Sequence, residues 1–236
     1  MRGLTHIHTR HSWDSRMPPD RLVERLHGAG IELAMVTDHD SFAGAVEVRS
    51  LVAGLDPPLR VPLAAEIRTD LGDVIVVFED GDVPPVEELK IWTQLRETVS
   101  DLGGLIWLPH PFRAHRDIDD LVAGSDVVEV FNSRCTAAEN QLAADVCLRH
   151  DKVPAFGSDA HLLNEAATWW VEYEDGGTVL DTLRSPPECT DARVARRSDI
   201  DIAEIINGFK RRRPTLIGYF TLRYIQHRGR DLLAPI

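Results

Sequence analysis

Cysteine is scarce in this chain of 236 residues, and long apolar runs are absent. The three cysteines, Cys135, Cys147 and Cys189, form no CxxC pair, which argues against a disulfide framework and against a thiolate zinc site. The longest apolar stretches, such as VIVVF at 74–78, are too short to cross a bilayer, and the first residues show no apolar run typical of a signal peptide. We therefore expect a cytoplasmic protein that does not interact with membranes.

Positive charge is also in short supply, since 26 Lys and Arg stand against 38 Asp and Glu, for a net charge of -12. An acidic surface repels nucleic acid unless basic residues are segregated. Residues 209–236 are such a segregated segment, with seven Lys or Arg against one Asp. We interpret them as a basic C-terminal segment with a solvated helix face, packed on a domain formed by residues 1–208. A polyanion-binding arm is the alternative.

Short apolar runs alternate with helix-like stretches through most of the chain, which is the pattern of βα units around a parallel sheet or barrel. The predicted strands lie at 4–9, 33–39, 61–67, 73–78, 105–110, 127–132 and 153–159. The predicted helices lie at 18–29, 41–53, 84–102, 117–124 and 136–151. We therefore predict an α/β fold.

Nearly every predicted strand ends in a side chain that can bind a metal. The first such group is HIHTRHSWD at 6–14, and it is followed by TDHD at 37–40, AAE at 64–66, PHP at 109–111 and GSDAH at 157–161. The C-terminal strand ends of a βα barrel converge on one mouth, so these side chains become neighbours there. Two residues apart on a strand, His6 and His8 point to the same face and can chelate one ion.

Eight of these residues are strong candidate ligands, namely His6, His8, Asp14, His39, Glu66, His110, Asp159 and His161. All are nitrogen or oxygen donors, which suits Zn²⁺, Mn²⁺ or Fe²⁺. At about four protein ligands for each ion they predict two metals, and a bridging carboxylate would accommodate a third. Clustered metals favour displacement at phosphorus by a metal-activated water.

The five motifs resemble, in the same order, those of the polymerase and histidinol phosphatase (PHP) superfamily, whose first motif is HxHxxxSxD. The resemblance covers about residues 4–170 and is greatest to stand-alone bacterial metal-dependent phosphoesterases. It implies a distorted (β/α)7 barrel with the metal site at the C-terminal mouth of the strands. It also implies two or three divalent metal ions as cofactors.

The resemblance further implies how the ligands share the ions. A first ion is held by His6, His8, Glu66 and Asp159, and Glu66 bridges to a second ion that also takes His110. A third ion takes the remaining ligands, Asp14, His39 and His161. Many family members contribute another histidine after the strand of Glu66, where this chain offers Asp73 or an apolar residue, so a dinuclear site is the alternative.

Cationic residues beside the ligands are candidates for binding a phosphate. Arg113 and Arg116 follow His110 in a loop, and Arg134 follows the strand at 127–132. For each of them the alternative is a surface arginine paired with a neighbouring acid. We expect His110 and Asp159 to take part in catalysis, with His115 as a candidate for protonating the leaving group. His11 fits no ligand position.

The predicted function is hydrolysis of a small phosphorylated substrate, either a phosphomonoester or a nucleotide-type compound. An exonuclease acting on short oligonucleotides is one alternative, supported by the basic C-terminal segment. A metal-dependent amide or lactone hydrolase is a second, because the same chemistry attacks a carbonyl carbon. A non-catalytic domain that keeps the fold is a third, and the near-complete ligand set argues against it.

Overall fold

The structure, a computed structural model, describes residues 1–189 and 191–231. Its strands are β1 Arg2–Ile7, β2 Leu33–Val36, β3 Leu63–Arg68, β4 Asp73–Phe78, β5 Leu105–Leu108, β6 Val127–Asn132, β7 Val153–Gly157 and β8 Val171–Glu172. Its α-helices are α1 Pro19–Gly28, α2 Ala43–Val52, α3 Trp92–Asp101, α4 Ile118–Gly124, α5 Ala137–Arg149, α6 Val179–Leu183, α7 Arg197–Lys210 and α8 Pro214–Asp231. A 3-10 helix at Val86–Leu89 precedes α3.

The strands form two sheets in a mixed α/β fold, and in the described part of the chain they do not close into the predicted barrel. β2, β1 and β8 make the smaller sheet, and β3 to β7 follow one another in the larger sheet. Isolated bridges between His39 and Glu66 and between Ile7 and Ala160 link the sheets. Candidate ligands therefore lie where the two sheets meet.

The larger sheet departs from a parallel βα series at β4, which runs antiparallel to both β3 and β5. Only residues 69–72 separate β3 from β4, whereas a parallel crossover needs about a dozen residues or more. Thr69 Oγ1 donates a hydrogen bond to the carbonyl oxygen of Gly72, and Gly72 has a φ of 142° that glycine adopts without strain. The short turn thus fixes a hairpin.

Alternate residues of each strand point to opposite sides of the larger sheet, and the residues on both sides are apolar. On one face Val76 and Ile106 belong to a cluster that includes Trp92 of α3. On the other face Ile75 and Trp107 belong to a second cluster. Burial on two faces explains why these strands read as continuous apolar runs in the sequence.

The last two helices form a hairpin. Asp201 of α7 is buried, forms an ion pair with Arg223 of α8 at 3.2 Å, and lies 2.5 Å from Nδ1 of His227 of α8. Because α7 continues past residue 208, the expected basic segment starts inside a helix, and residues 232–236 of that segment lie outside the described residues. None of the described helices has the length and hydropathy of a membrane span.

Candidate metal centre

The structure brings together all eight side chains that the sequence marked as candidate ligands. They form three overlapping groups in which the ligand atoms lie within 4.8 Å of one another. The groups are His8, Asp14, His39 and His161, then His6, Glu66 and His110, and finally His6, His8 and Asp159. Every contributing segment lies in a strand of one of the two sheets or directly after it, except the loop of Asp14.

Three of these residues have a left-handed backbone. His6 has a φ of 59°, His110 of 29° and Asp159 of 48°. A residue with a Cβ pays on the order of 1 kcal/mol for this conformation, which persists where the surroundings enforce it. For His6 it means that the same-face argument from strand alternation does not apply, although His6 and His8 do converge, with ring centroids 5.1 Å apart.

Glu66 is the centre of the cluster. Its Oε2 atom lies 3.3 Å from Nε2 of His6, 3.3 Å from Nε2 of His8 and 3.2 Å from Nδ1 of His39. Its Oε1 atom lies 3.1 Å from Nε2 of His110. One carboxylate therefore faces four imidazoles.

Two further carboxylates extend the cluster. Oδ1 of Asp159 lies 3.5 Å from Nε2 of His8 and 3.7 Å from Nε2 of His6. Oδ2 of Asp14 lies 3.1 Å from Nε2 of His39 and 3.0 Å from Nε2 of His161. The three carboxylates share histidines, since His6 and His8 face both Glu66 and Asp159 and His39 faces both Glu66 and Asp14, and how the ligands would be shared among ions stays a prediction.

Unpartnered ring nitrogens test whether a metal fits here. Both ring nitrogens of His8, Nδ1 of His39 and Nδ1 of His110 are buried without a hydrogen-bond partner among the described residues. Bond lengths of about 2.0 to 2.2 Å place two ligand atoms of one tetrahedral ion about 3.4 Å apart, and the N to O distances around Glu66 and Asp159 are close to that separation. The donor set and its spacing fit divalent metal ions.

The negative charges of the three carboxylates are balanced only if the histidines are protonated or cations are bound. Burial disfavours the charged form of His8, but the nearby carboxylates of Asp159 and Glu66, 3.5 and 3.3 Å from Nε2, outweigh burial and raise its pKa to about 10. Burial also works against the charge on Glu66, yet His39 and His6 hold its pKa well below the usual range. Metal ligands must be deprotonated, so bound metal ions would replace these imidazole protons.

Glu129 is a supporting residue that the sequence analysis did not assign. It is buried, and its Oε1 atom lies 2.7 Å from Nδ1 of His6 and accepts a hydrogen bond from Trp107 Nε1. Its Oε2 atom accepts from the backbone amide of His110 and from Asn132 Nδ2. One acid in the otherwise apolar run VVEVF was the available signal, because a buried charge needs partners of this kind.

Arg134 was expected to bind substrate phosphate, but the structure places its guanidinium inside the protein. It is buried, its Nε atom donates to the backbone oxygen of Asp159 at 2.7 Å, and Nη2 donates to both carboxylate oxygens of Glu165 at 2.9 and 2.8 Å. These hydrogen bonds hold the Arg134 guanidinium inside the protein. Arg134 positions Asp159 and does not line the cavity at the metal centre.

The other two predicted phosphate-binding arginines differ from each other. Arg113 lines the cavity, and its Nη1 atom donates to Oδ2 of Asp159 at 3.0 Å. Arg116 is exposed and lies outside the cavity lining. Of the three arginines, only Arg113 is placed to reach a ligand beside the metal cluster.

His115 and Asp73 are engaged with other groups. Nδ1 of His115 lies 3.0 Å from the backbone oxygen of Arg113, and Nε2 lies 2.7 Å from that of Asp73. The Asp73 carboxylate accepts from Nε of Arg68 at 3.0 Å and belongs to none of the three ligand groups. The role of His115 in proton transfer stays a prediction, and it requires one of these two bonds to break.

A cavity of about 330 Å³ opens onto the metal centre. Besides the ligands, it is lined by Trp13 and by Arg211 and Arg213 of the turn between α7 and α8. The Trp13 indole stacks on the His39 ring with centroids 4.2 Å apart and planes 1° apart. These arginines were not predicted as site residues, because only the position of the α7–α8 hairpin brings them to the cavity.

Comparison with known proteins by sequence finds two uncharacterised proteins of Methanocaldococcus jannaschii. The chain is 33% identical to MJ0417 over 121 residues, which are 47% of this chain and 50% of that protein. It is 29% identical to MJ1587 over 150 residues, which are 56% of this chain and 82% of that protein. The match thus spans half the length of MJ0417. No protein-family model matches the chain.

Comparison of structures finds proteins with the same fold. A two-domain protein of Bacteroides vulgatus that contains a predicted PHP-like metal-dependent phosphoesterase has a TM-score of 0.61 at 14% identity, over 86% of this chain and 68% of that one. A protein of Bifidobacterium adolescentis named for metal-dependent phosphoesterase activity has a TM-score of 0.55 at 17% identity, over 68% and 87%. An amidohydrolase of Chromobacterium violaceum with bound sulfate has a TM-score of 0.51 at 15% identity, over 70% and 89%.

Proposed function

We propose that this chain, whose fold is that of the PHP-like metal-dependent phosphoesterases, hydrolyses small phosphate esters. The observation that carries the proposal is the cluster of eight nitrogen and oxygen donors beside one cavity. Two or three ions of zinc, manganese or iron suit this donor set. When bound, such ions supply an activated water and neutralise charge on a phosphoryl group.

The protein's own residues hold the reacting groups in place. Glu66 and Asp159 keep the imidazoles of His6 and His8 within 3.7 Å of a carboxylate oxygen. Arg113 presents a guanidinium at the cavity, where its remaining N–H groups can donate to phosphate oxygens. His115 is the candidate for giving a proton to the leaving oxygen.

Burial of the thiols supports a mechanism without a protein nucleophile. Burial raises the pKa of Cys135 to about 12 and that of Cys147 to about 11. A thiol with such a pKa is protonated at neutral pH and is a poor nucleophile. Water is therefore the attacking group in this proposal.

Phosphate release is the direct test. The protein is stripped of metal with a chelator, reloaded separately with Zn²⁺, Mn²⁺ or Fe²⁺, and assayed on phosphomonoesters, phosphodiesters and short oligonucleotides. We expect release of inorganic phosphate from monoesters by at least one reloaded form and none from the stripped form. Lack of hydrolysis by every reloaded form would sink the proposal, and faster cleavage of oligonucleotides would favour the exonuclease.

Arg113 gives the assay a residue-level readout. Loss of a charge-assisted hydrogen bond of about 1.5 kcal/mol should raise KM about tenfold in Arg113→Ala. Arg116→Ala removes the same side chain three residues away and outside the cavity, so its KM should be unchanged. Equal effects of the two substitutions would contradict the proposed role of Arg113.

A metal-dependent amide or lactone hydrolase is the second candidate, favoured by the similarity to the amidohydrolase of Chromobacterium violaceum. The same cavity would then bind a carbonyl compound, and Arg113 would bind its carboxylate. Assays of the reloaded protein on amides and lactones, with and without inorganic phosphate as a competitor, separate the two functions. Carbonyl turnover that exceeds phosphate ester turnover would favour this candidate.

A further inference from the structure

Two cations at the cavity are not used by the proposed mechanism. Arg211 and Arg213 both line the cavity, and neither makes an ion pair or a side-chain hydrogen bond with another residue that the structure describes. The other arginines of the lining are paired, Arg68 with Asp73 and Arg113 with Asp159, each at 3.0 Å. Positive charge is therefore free at the α7–α8 turn.

The end of α7 fixes the positions of the two cations. The backbone amide of Arg213 donates to the carbonyl oxygen of Gly208 at 2.7 Å, and that of Arg212 donates to Phe209 at 3.2 Å. Together with the φ of 54° at Arg212, this is the Schellman arrangement, which closes a helix with one left-handed residue. Arg211 and Arg213 consequently line the cavity while Arg212 between them does not.

A second contact holds the turn against the loop of the first motif. Nζ of Lys210 donates to the backbone oxygens of Arg10, Ser12 and Ser15 at 2.8, 2.6 and 2.6 Å. The Arg211 guanidinium lies 5.1 Å from the centroid of the Trp13 ring, and that ring stacks on the candidate ligand His39. Arg211 is thus joined to the metal centre through one indole.

The charges at this end of the cavity favour an anion. Glu204 also lines it, and its carboxylate accepts a hydrogen bond from Asn207 at 3.1 Å. The other acids of the lining are either paired with arginines, as Asp73 and Asp159 are, or belong to the candidate ligand groups, as Asp14 and Glu66 do. Glu204 alone does not balance two arginines, and metal ions would add further positive charge in the same cavity. The volume of about 330 Å³ lies at the small end of the range of roughly 300 to 1,000 Å³ for small-molecule sites.

We propose that Arg211 and Arg213 form a second anion-binding subsite, so that the substrate is a small phosphate ester with a further phosphate or carboxylate group. This inference rests on the proposed function for the reacting phosphate. Arg113 and the metal centre bind that group, and the α7–α8 turn selects substrates by the second one. Arg211 and Arg213 are specificity-determining residues with no part in bond cleavage.

The test uses binding of compounds that cannot be hydrolysed. Isothermal titration calorimetry of the metal-loaded protein compares alkane-α,ω-diphosphonates of two to six carbons with alkylphosphonates of the same length, and with ω-phosphonoalkanoates as the carboxylate series. We expect at least one diphosphonate or phosphonoalkanoate to bind tenfold or more tightly than its matched alkylphosphonate. The series that shows the preference identifies the second group as phosphate or carboxylate.

The variants assign the preference to the two arginines. In Arg211→Ala/Arg213→Ala the preference should fall to twofold or less, whereas Arg211→Lys/Arg213→Lys should retain part of it. Arg212→Ala removes an adjacent arginine outside the cavity and should keep the wild-type preference. A wild-type protein without preference, or a preference that survives in the double alanine variant, overturns the inference.

Failure of the proposed function would look different. If the reloaded protein releases no phosphate from any ester but the binding preference depends on Arg211 and Arg213, the subsite stands and the phosphoesterase proposal falls. If phosphate is released but no dianionic compound binds better, the phosphoesterase stands and the subsite falls. Circular dichroism of each variant confirms that the helical hairpin is retained.

Discussion

The cluster of candidate metal ligands and the α7–α8 turn border one cavity but are built in opposite ways. The side chains of His6, His8 and Glu66 are almost completely buried, and the cluster draws on residues from 6 to 161. Lys210 to Arg213 are consecutive and exposed. A buried polar cluster has many partners per group and tolerates few changes. In the turn, Lys210 bonds to three backbone oxygens, whereas Arg211 and Arg213 have no ion-pair partner among the described residues. Changes in the cluster should therefore abolish function, and changes in the turn should only adjust it.

The largest effect is expected from the ligands themselves. His8→Ala and Asp159→Ala each remove a donor from the cluster, and loss of either should abolish metal uptake and lower turnover at least 1,000-fold, on the order of 4 kcal/mol. Elemental analysis of the purified protein and a phosphate-release assay measure the two quantities. Full metal content with full activity in both variants would show that the cluster is not the metal centre.

The matched control for these variants is His11→Ala, in the same opening motif. The His11 ring is partly exposed and lies 2.7 Å from Oε2 of Glu47, away from the three ligand groups. Metal content and turnover should stay within twofold of the wild-type values. A loss equal to that of His8→Ala would show that a histidine outside the ligand groups matters as much to metal binding as a candidate ligand.

A smaller effect is expected from Glu129, whose carboxylate faces Nδ1 of the candidate ligand His6. Glu129→Gln keeps the shape but loses the charge that faces Nδ1 of His6, and loss of such a partner weakens metal affinity about 10- to 100-fold. Competition with a fluorescent chelator measures the affinity. Glu47→Gln makes the same change beside His11 and should leave metal affinity unaltered. Similar affinities of both variants would mean that Glu129 does not position His6.

The cluster was predictable from the sequence because each ligand is tied to a local motif. His39, Glu66 and His161 stand at or just after apolar runs that form strands, and strand ends converge in a folded α/β protein. Strands β1 to β7 were predicted within a few residues, since their continuous apolar runs reflect burial, and the two-residue strand β8 was not predicted. The set of candidate ligands that the structure brings together thus followed from pattern and order.

The remaining features depend on contacts between distant segments. Arg134 follows a strand as a substrate-binding residue would, but Glu165, 31 residues later, holds its guanidinium inside the protein. The turn at 69–72 is too short for a parallel crossover, so β4 runs antiparallel to β3 where a regular βα series was expected. Arg211 was not predicted as a cavity residue, because only the packing of the α7–α8 hairpin brings it there. No local pattern encodes such positions.

Metal binding at the cluster should depend on pH. The pKa of His8 is raised to about 10 in the metal-free site, despite burial, by Asp159 and Glu66. His8 therefore carries a proton at pH 7 that a metal must displace, and apparent metal affinity should rise as pH increases. The expected slope from pH 6 to 8 is about tenfold per pH unit for each proton displaced. Zinc titrations in buffers of different ionisation enthalpy count the protons released, and a pH-independent affinity contradicts the protonated state of His8.

The smallest effect is expected from the anchor of the turn. Lys210→Met removes the three hydrogen bonds from Nζ to the loop of the first motif, at an exposed position where their combined contribution is about 1 kcal/mol. The turn should then sample other positions, which raises KM for the best phosphate ester about fivefold while kcat and metal content stay unchanged. Lys152→Met is the control, because Nζ of Lys152 donates to a backbone oxygen, that of Ala123, outside the cavity. A fall in kcat or in metal content in Lys210→Met would mean that the turn also supports the metal cluster, and the division between a chemical and a selective region would be wrong.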